Sequence, residues 1–128
     1  MLLNKRNIEQ DFIREKKSAL RHWLMQKVSA LLLLPLLCWF LYTLKDLFYG
    51  DYKTKLAWFH DYSNSIFLAS FIIVALYHLR LGLTAVIDDY VHNEKHKNFL
   101  FSFISILCLL FAIFTLIVVA YLSLGDHV

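Results

Sequence analysis

Charged and apolar residues are not mixed evenly along this chain; they fall in long blocks. A charged block, "NKRNIEQDFIREKKSALRHW", comes first. Three apolar blocks follow, at about 24–44, 63–88 and 98–124, separated by two short polar stretches. The third, "NFLFSFISILCLLFAIFTLIVVAYLSL", carries no charge. A helix needs roughly 20 mostly apolar residues to cross the hydrocarbon of a bilayer, and each block reaches that length. Lipid offers no partner for backbone N–H and C=O groups, so each block predicts an α-helix. The alternation of polar and apolar positions that marks a barrel strand is absent. The predicted fold is an all-α membrane protein with three transmembrane helices. It forms one membrane domain over residues 1–128, opening with a charged segment to about residue 23.

Composition agrees with that pattern. The apolar fraction is 59% and the mean hydropathy +0.56, against about 45–50% apolar in a soluble domain. One proline and three glycines leave little material for turns. Pro35 stands inside the first block and predicts a kink there. Cys38 and Cys108 are isolated in apolar runs, which predicts two buried thiols rather than a disulfide or a metal site. A cleaved signal peptide is not the expectation here, because the first apolar run begins only after a long charged segment and no small-residue cleavage site follows it.

Charge changes the picture through its distribution. Lys5, Arg6, Arg14, Lys16, Lys17 and Arg21 precede the first span, and Lys27 lies in its first turn. The first loop holds Lys45, Lys53 and Lys55; the second holds Lys95 and Lys97; the tail "SLGDHV" has neither residue type. The positive-inside rule then places the N-terminus and the second loop in the cytoplasm, or on the matrix side in an organelle. Trp23, Trp58 and several tyrosines near the span ends resemble an aromatic belt. Isoleucine and phenylalanine punctuate the charged N-terminal segment. It is predicted to be helical in part and to rest on the membrane interface or on a partner protein.

The chemistry must come from polar residues at membrane depth, which are costly and therefore candidates for function. Lys27 and Arg80 lie toward the cytoplasmic ends of their spans, where long side chains can snorkel to the headgroups. His78 lies near mid-membrane in the second span. A histidine there either hydrogen-bonds a neighbouring helix, relays protons, or ligates a haem or metal as neutral imidazole. At about 100° per residue, His78 and Asp89 lie about 20° apart on one helical face and about 16 Å apart along it. Gly82 is one turn from His78 on that face, where a missing side chain leaves room for a flat cofactor or a close helix. Asp88, Asp89 and Tyr90 fall at the membrane boundary. The carboxylates there suit a solvated helix end, and Tyr90 suits either the aromatic belt or a phenol donating to a carbonyl that arrives from the lipid.

The pattern His-x3-Gly-x6-Asp-Tyr on the second of three spans (His78, Gly82, Asp89 and Tyr90) resembles the hydrophobic membrane anchor of succinate dehydrogenase, respiratory complex II, of the haem b-containing type. Lys27, Ser29 and Ala30 in "QKVSALLLLPL" match that family's basic-x-Ser/Thr-Ala segment in the first span. The likeness covers most of the chain. It implies that His78 is one axial ligand of haem b, so that His78 would hold the haem iron, with the second ligand supplied by the partner anchor, the complex's cytochrome b anchor subunit. It implies that Tyr90 hydrogen-bonds ubiquinone, that Asp89 belongs to the quinone-site network, and that Lys27 faces a haem propionate. The family usually has arginine at that last position. A guanidinium grips a carboxylate in two prongs where an ammonium cannot, so Arg80 stands as an alternative to Lys27.

The function implied is that of a non-catalytic subunit within a hetero-oligomeric helical bundle. It anchors the flavoprotein and iron–sulfur subunits, contributes half a haem site and part of the ubiquinone-reduction site, and serves the tricarboxylic acid cycle and respiratory electron transport. No nucleic acid enters this reading. No Arg/Ser-rich transit peptide is recognisable, which leans toward the bacterial cytoplasmic (inner) membrane over the mitochondrial one. The alternatives are the anchor of a fumarate reductase, running the reaction in reverse, and a structural or assembly protein in which His78 only packs. A transporter fragment fits poorly, since neither repeats nor broken helices are visible.

Overall fold

The computed structural model describes residues 2–125, with side chains from Asn4 onward; the tail beyond Gly125, part of the stretch free of Lys and Arg, lies outside the described residues. It contains four helices: α1 (Leu2–Tyr49), α2 (Tyr52–His60), α3 (Tyr62–Tyr90) and α4 (Glu94–Leu124). Among the described residues there is no strand. Helices α1, α3 and α4 are each long and apolar enough to cross a membrane.

The first helix differs from the expectation of a partly helical segment followed by a span. It runs unbroken from Leu2 through Pro35 to Tyr49. The reason is local. Between Leu2 and Leu34 the chain has neither Gly nor Pro, and its charged part is rich in Glu, Lys, Arg, Gln and Ala, which are strong helix formers. At 1.5 Å per residue α1 is about 72 Å long, against about 30 Å of hydrocarbon, so its charged half continues well beyond the bilayer.

The first loop is also more ordered than its polarity suggests. Asp51 caps α2 by accepting the Thr54 N–H at 2.8 Å, and hydrogen bonding from Thr54 holds the Asp51 carboxyl below its usual range. The apolar side of α2 carries Trp58, which is 7% exposed. Trp58 stacks on Trp39 of α1 at 6.1 Å, and Trp39 meets Phe67 of α3 at 5.2 Å. Such ring pairs contribute about 0.5–1.5 kcal/mol each beyond the area they bury. Trp58 is therefore a packing residue and not part of an aromatic belt; Trp23, half-exposed on α1, keeps the belt position.

Asp61 caps α3 through the Ser63 N–H at 2.9 Å, and Asn93 caps α4 through the Lys95 N–H at 3.0 Å. The two tight connections set α3 between α1 and α4, which do not touch each other among the described residues. The long helices form an open layer with α2 closing one end. Few residues are buried: Trp58, Ile87 and Val119, with Ser29, Thr43, Ser65 and Ser123. Small hydroxyl residues at helix crossings let backbones approach closely. Three of them are satisfied by carbonyls, Ser29 by Gln26, Thr43 by Phe40 and Ser65 by Phe59. The broad apolar faces of α1, α3 and α4 remain uncovered by this chain. Cys38 is exposed on such a face and Cys108 is half-buried, both free. They are thus not buried within the chain, because the layer has no interior at their positions.

Candidate functional site

The α1–α3 seam carries the polar residues of interest. On α1, His22, Ser29, Leu36 and Thr43 stand seven apart, and Ser29 meets α3 through His78. Seven residues turn a helix by about −20°, so these four positions stay on one slowly drifting stripe. On α3, His78 and Asp89 share the face toward this stripe. His78 Nδ1 lies 2.9 Å from Ser29 Oγ, and Ser29 is only 3% exposed. The same hydroxyl lies 3.0 Å from the Gln26 carbonyl. His78 is half-buried, and its Nε2 has no hydrogen-bond partner among the described residues. One turn on, a Cβ at Gly82 would meet nothing within 4 Å. No atom of this chain demands a glycine there; the space beside His78 is open.

Toward the helix end the seam widens into a cleft of about 490 Å³ lined by Glu15, Ser18, His22 and Gln26 of α1 and by Ala85, Asp88 and Asp89 of α3, among others. Both carboxylates sit in the last turn of α3, the negative end of the helix dipole, where anions are disfavoured. Asp88 has a compensating partner in Lys97 of α4 at 2.6 Å, so it is ion-paired rather than simply solvated. Asp89 has no hydrogen bond or ion pair among the described residues. His22 Nε2 is buried without a partner. Tyr90 closes α3, is 79% exposed and does not line the cleft.

The two basic candidates stand elsewhere. Lys27 is about 200° around α1 from Ser29, exposed, with its ammonium 5.8 Å from the Trp23 ring centroid. Arg80 is about 200° around α3 from His78, and its Nε donates to Ser105 of α4 at 3.1 Å. The structure thus brings His78, Gly82 and Asp89 to one side of α3, and sets Lys27 and Arg80 apart from them. Sequence spacing alone gives no role to Ser29 or His22, although both stand at heptad spacing on α1 with Thr43 two heptads beyond Ser29, the position between being the apolar Leu36.

The sequence of the chain has counterparts among known proteins. Residues 3–120 match the family of succinate dehydrogenase/fumarate reductase transmembrane subunits. The chain belongs to that family. Among similar proteins is the succinate dehydrogenase hydrophobic membrane anchor subunit of Rickettsia typhi, 28% identical over 105 residues, covering 82% of this chain and 84% of the relative. The subunit of the same name from Rickettsia bellii is 32% identical over 104 residues, covering 77% and 83%. The succinate dehydrogenase membrane anchor subunit of Reclinomonas americana is 31% identical over 90 residues, covering 67% and 73%. No solved structure matches the chain. The anchor's three apolar helices and its membership of the family agree with the expectation from its motifs.

Proposed function

We propose that the chain anchors succinate:quinone oxidoreductase in the membrane, lends His78 as one axial ligand of haem b, and forms part of the ubiquinone-reduction site. The observation that carries this reading is the state of His78. One ring nitrogen is held inside the seam by Ser29, while the other is free beside the open space at Gly82. A neutral imidazole with one nitrogen anchored and one available suits axial ligation. A planar group needs flat, open space of the kind Gly82 leaves. The donor set therefore fits haem b, which when bound supplies a one-electron carrier within the membrane.

The remaining residues of this chain bind, orient and move protons. Reducing a quinone to a quinol takes up two electrons and two protons. The Tyr90 hydroxyl, exposed at the end of α3, would donate a hydrogen bond to a quinone carbonyl. Asp89, unpaired beside a cleft, can pass protons toward that position. Asp88 is already engaged by Lys97 and acts as a strut between α3 and α4. Arg80 ties α3 to α4 through Ser105; Lys27, exposed on α1 away from the His78 side, would reach a propionate only by snorkelling.

On this reading the second haem ligand comes from a partner anchor, the cytochrome b protein of the same complex, packed on the uncovered faces of α1 and α3. The flavoprotein and iron–sulfur subunits bind on the side that carries the charged half of α1 and deliver electrons from succinate. The positive-inside bias puts that side in the cytoplasm of a bacterium. Purification of the tagged chain in mild detergent tests the whole assignment. Flavin, iron–sulfur clusters and haem b should copurify with it together with succinate–quinone reductase activity. A chain that purifies in a complex lacking flavin and haem overturns it.

A further inference from the structure

We propose that Ser29 is the positioning residue of His78: its hydroxyl oxygen accepts the Nδ1 proton and so fixes the tautomer that turns a bare Nε2 outward. The inference rests on the reading of His78 as an axial ligand and adds what selects its orientation. A serine hydroxyl has one proton to donate. Here Oγ has two neighbours, the Gln26 carbonyl at 3.0 Å and His78 Nδ1 at 2.9 Å. A carbonyl only accepts. The one assignment that satisfies both contacts at once has Ser29 O–H donating to Gln26 and His78 Nδ1–H donating to Ser29 Oγ. A neutral imidazole carries a single N–H, so Nε2 then holds a lone pair, the form that binds iron.

The surroundings make that choice firm. Ser29 is 3% exposed, so water does not compete for the bond. Among the described residues Ser29 is the sole hydrogen-bond partner of His78. Ser29 is in turn fixed by its own helix, since its proton goes to the carbonyl three residues back. The result is a relay of orientation running Gln26 carbonyl, Ser29 hydroxyl, His78 ring, built across α1 and α3. An acceptor on the far nitrogen also raises the basicity of the ligating one. A more electron-donating imidazole favours the oxidised metal and lowers the haem potential.

The test compares Ser29→Ala, Ser29→Thr and His78→Ala in the purified complex by haem content, low-temperature EPR of the oxidised haem and redox titration. Ser29→Ala should keep the haem, move its low-field EPR feature and shift the midpoint potential upward. Ser29→Thr keeps a hydroxyl that can bond the preceding turn and should reproduce the parent on all three. If Ser29→Ala loses haem while Ser29→Thr keeps the parent signature, the hydroxyl is again required. The proposal is overturned if Ser29→Ala matches the parent in EPR and potential, or if Ser29→Thr is altered as much as Ser29→Ala, including loss of haem in both. Full haem content in His78→Ala overturns the ligand assignment itself, and does so independently of the serine variants.

Discussion

Ser29 and His78 are 49 residues apart in the chain, and their side chains meet at 2.9 Å across the α1–α3 seam. This contact converts an isolated membrane histidine into one with a fixed partner on one side and an open position on the other. It also orders the rest of the site. His78 belongs to the seam with α1, and the side of α3 opposite it meets α4.

Arg80 falls on that opposite side, bonded to Ser105. Arg80→Ala should therefore leave haem content and potential unchanged. Loss of an exposed charge-assisted hydrogen bond should cost about 0.5–1.5 kcal/mol of stability, read as a modest drop in the melting temperature of the detergent complex. A large shift in haem potential in this variant would place Arg80 at the haem instead of at α4.

The open space at Gly82 gives a second expectation. Within this chain a Cβ added at Gly82 meets nothing within 4 Å, so Gly82→Leu should insert into the membrane at normal levels by immunoblot. If the space receives a flat cofactor or a partner helix, the same variant should assemble poorly and lose haem. Normal haem content in Gly82→Leu would show that nothing occupies that space.

The two adjacent carboxylates should separate functionally. Asp88 is taken up by Lys97 and Asp89 is not. Asp89→Asn should lower quinone reduction at least severalfold, and up to the roughly 10²–10⁴-fold that general acid–base groups contribute when they transfer the proton directly. Asp88→Asn should change it little and mainly loosen the α3–α4 connection. Equal effects on quinone reduction from both would make the cleft a shared acidic patch and remove the distinction.

Tyr90→Phe should reduce the quinone reductase rate about tenfold, the factor that a hydrogen bond worth about 1.4 kcal/mol supplies. Succinate oxidation by an artificial dye, which bypasses the quinone, should stay at the parent level. If both activities are normal, the phenol is not the donor.

Much of this architecture was legible in the sequence. The three spans follow from apolar length, and the end of α3 falls where Asp88, Asp89 and Tyr90 break the apolar run. Coplacement of His78, Gly82 and Asp89 follows from helical period alone. What sequence pattern could not reach are contacts between helices. Arg80 lies 25 residues from Ser105, and nothing in either segment names the other. The unbroken α1 was obscured because its charge pattern changes near residue 23 while its helix propensity does not. The helix in the first loop was obscured because its polar composition hides one buried tryptophan, although Asp51 and Thr54 carry a capping signal. Asp88 and Asp89 look alike in sequence and differ only once Lys97 folds against one of them.

Every role proposed for the seam depends on ligation of haem b by His78. The most direct measurement is the reduced-minus-oxidised spectrum of the purified complex carrying His78→Ala, taken with a count of haem per flavin. The haem b bands should be lost in a complex that still contains flavin and iron–sulfur clusters. A parent-level haem signal in that variant would contradict it.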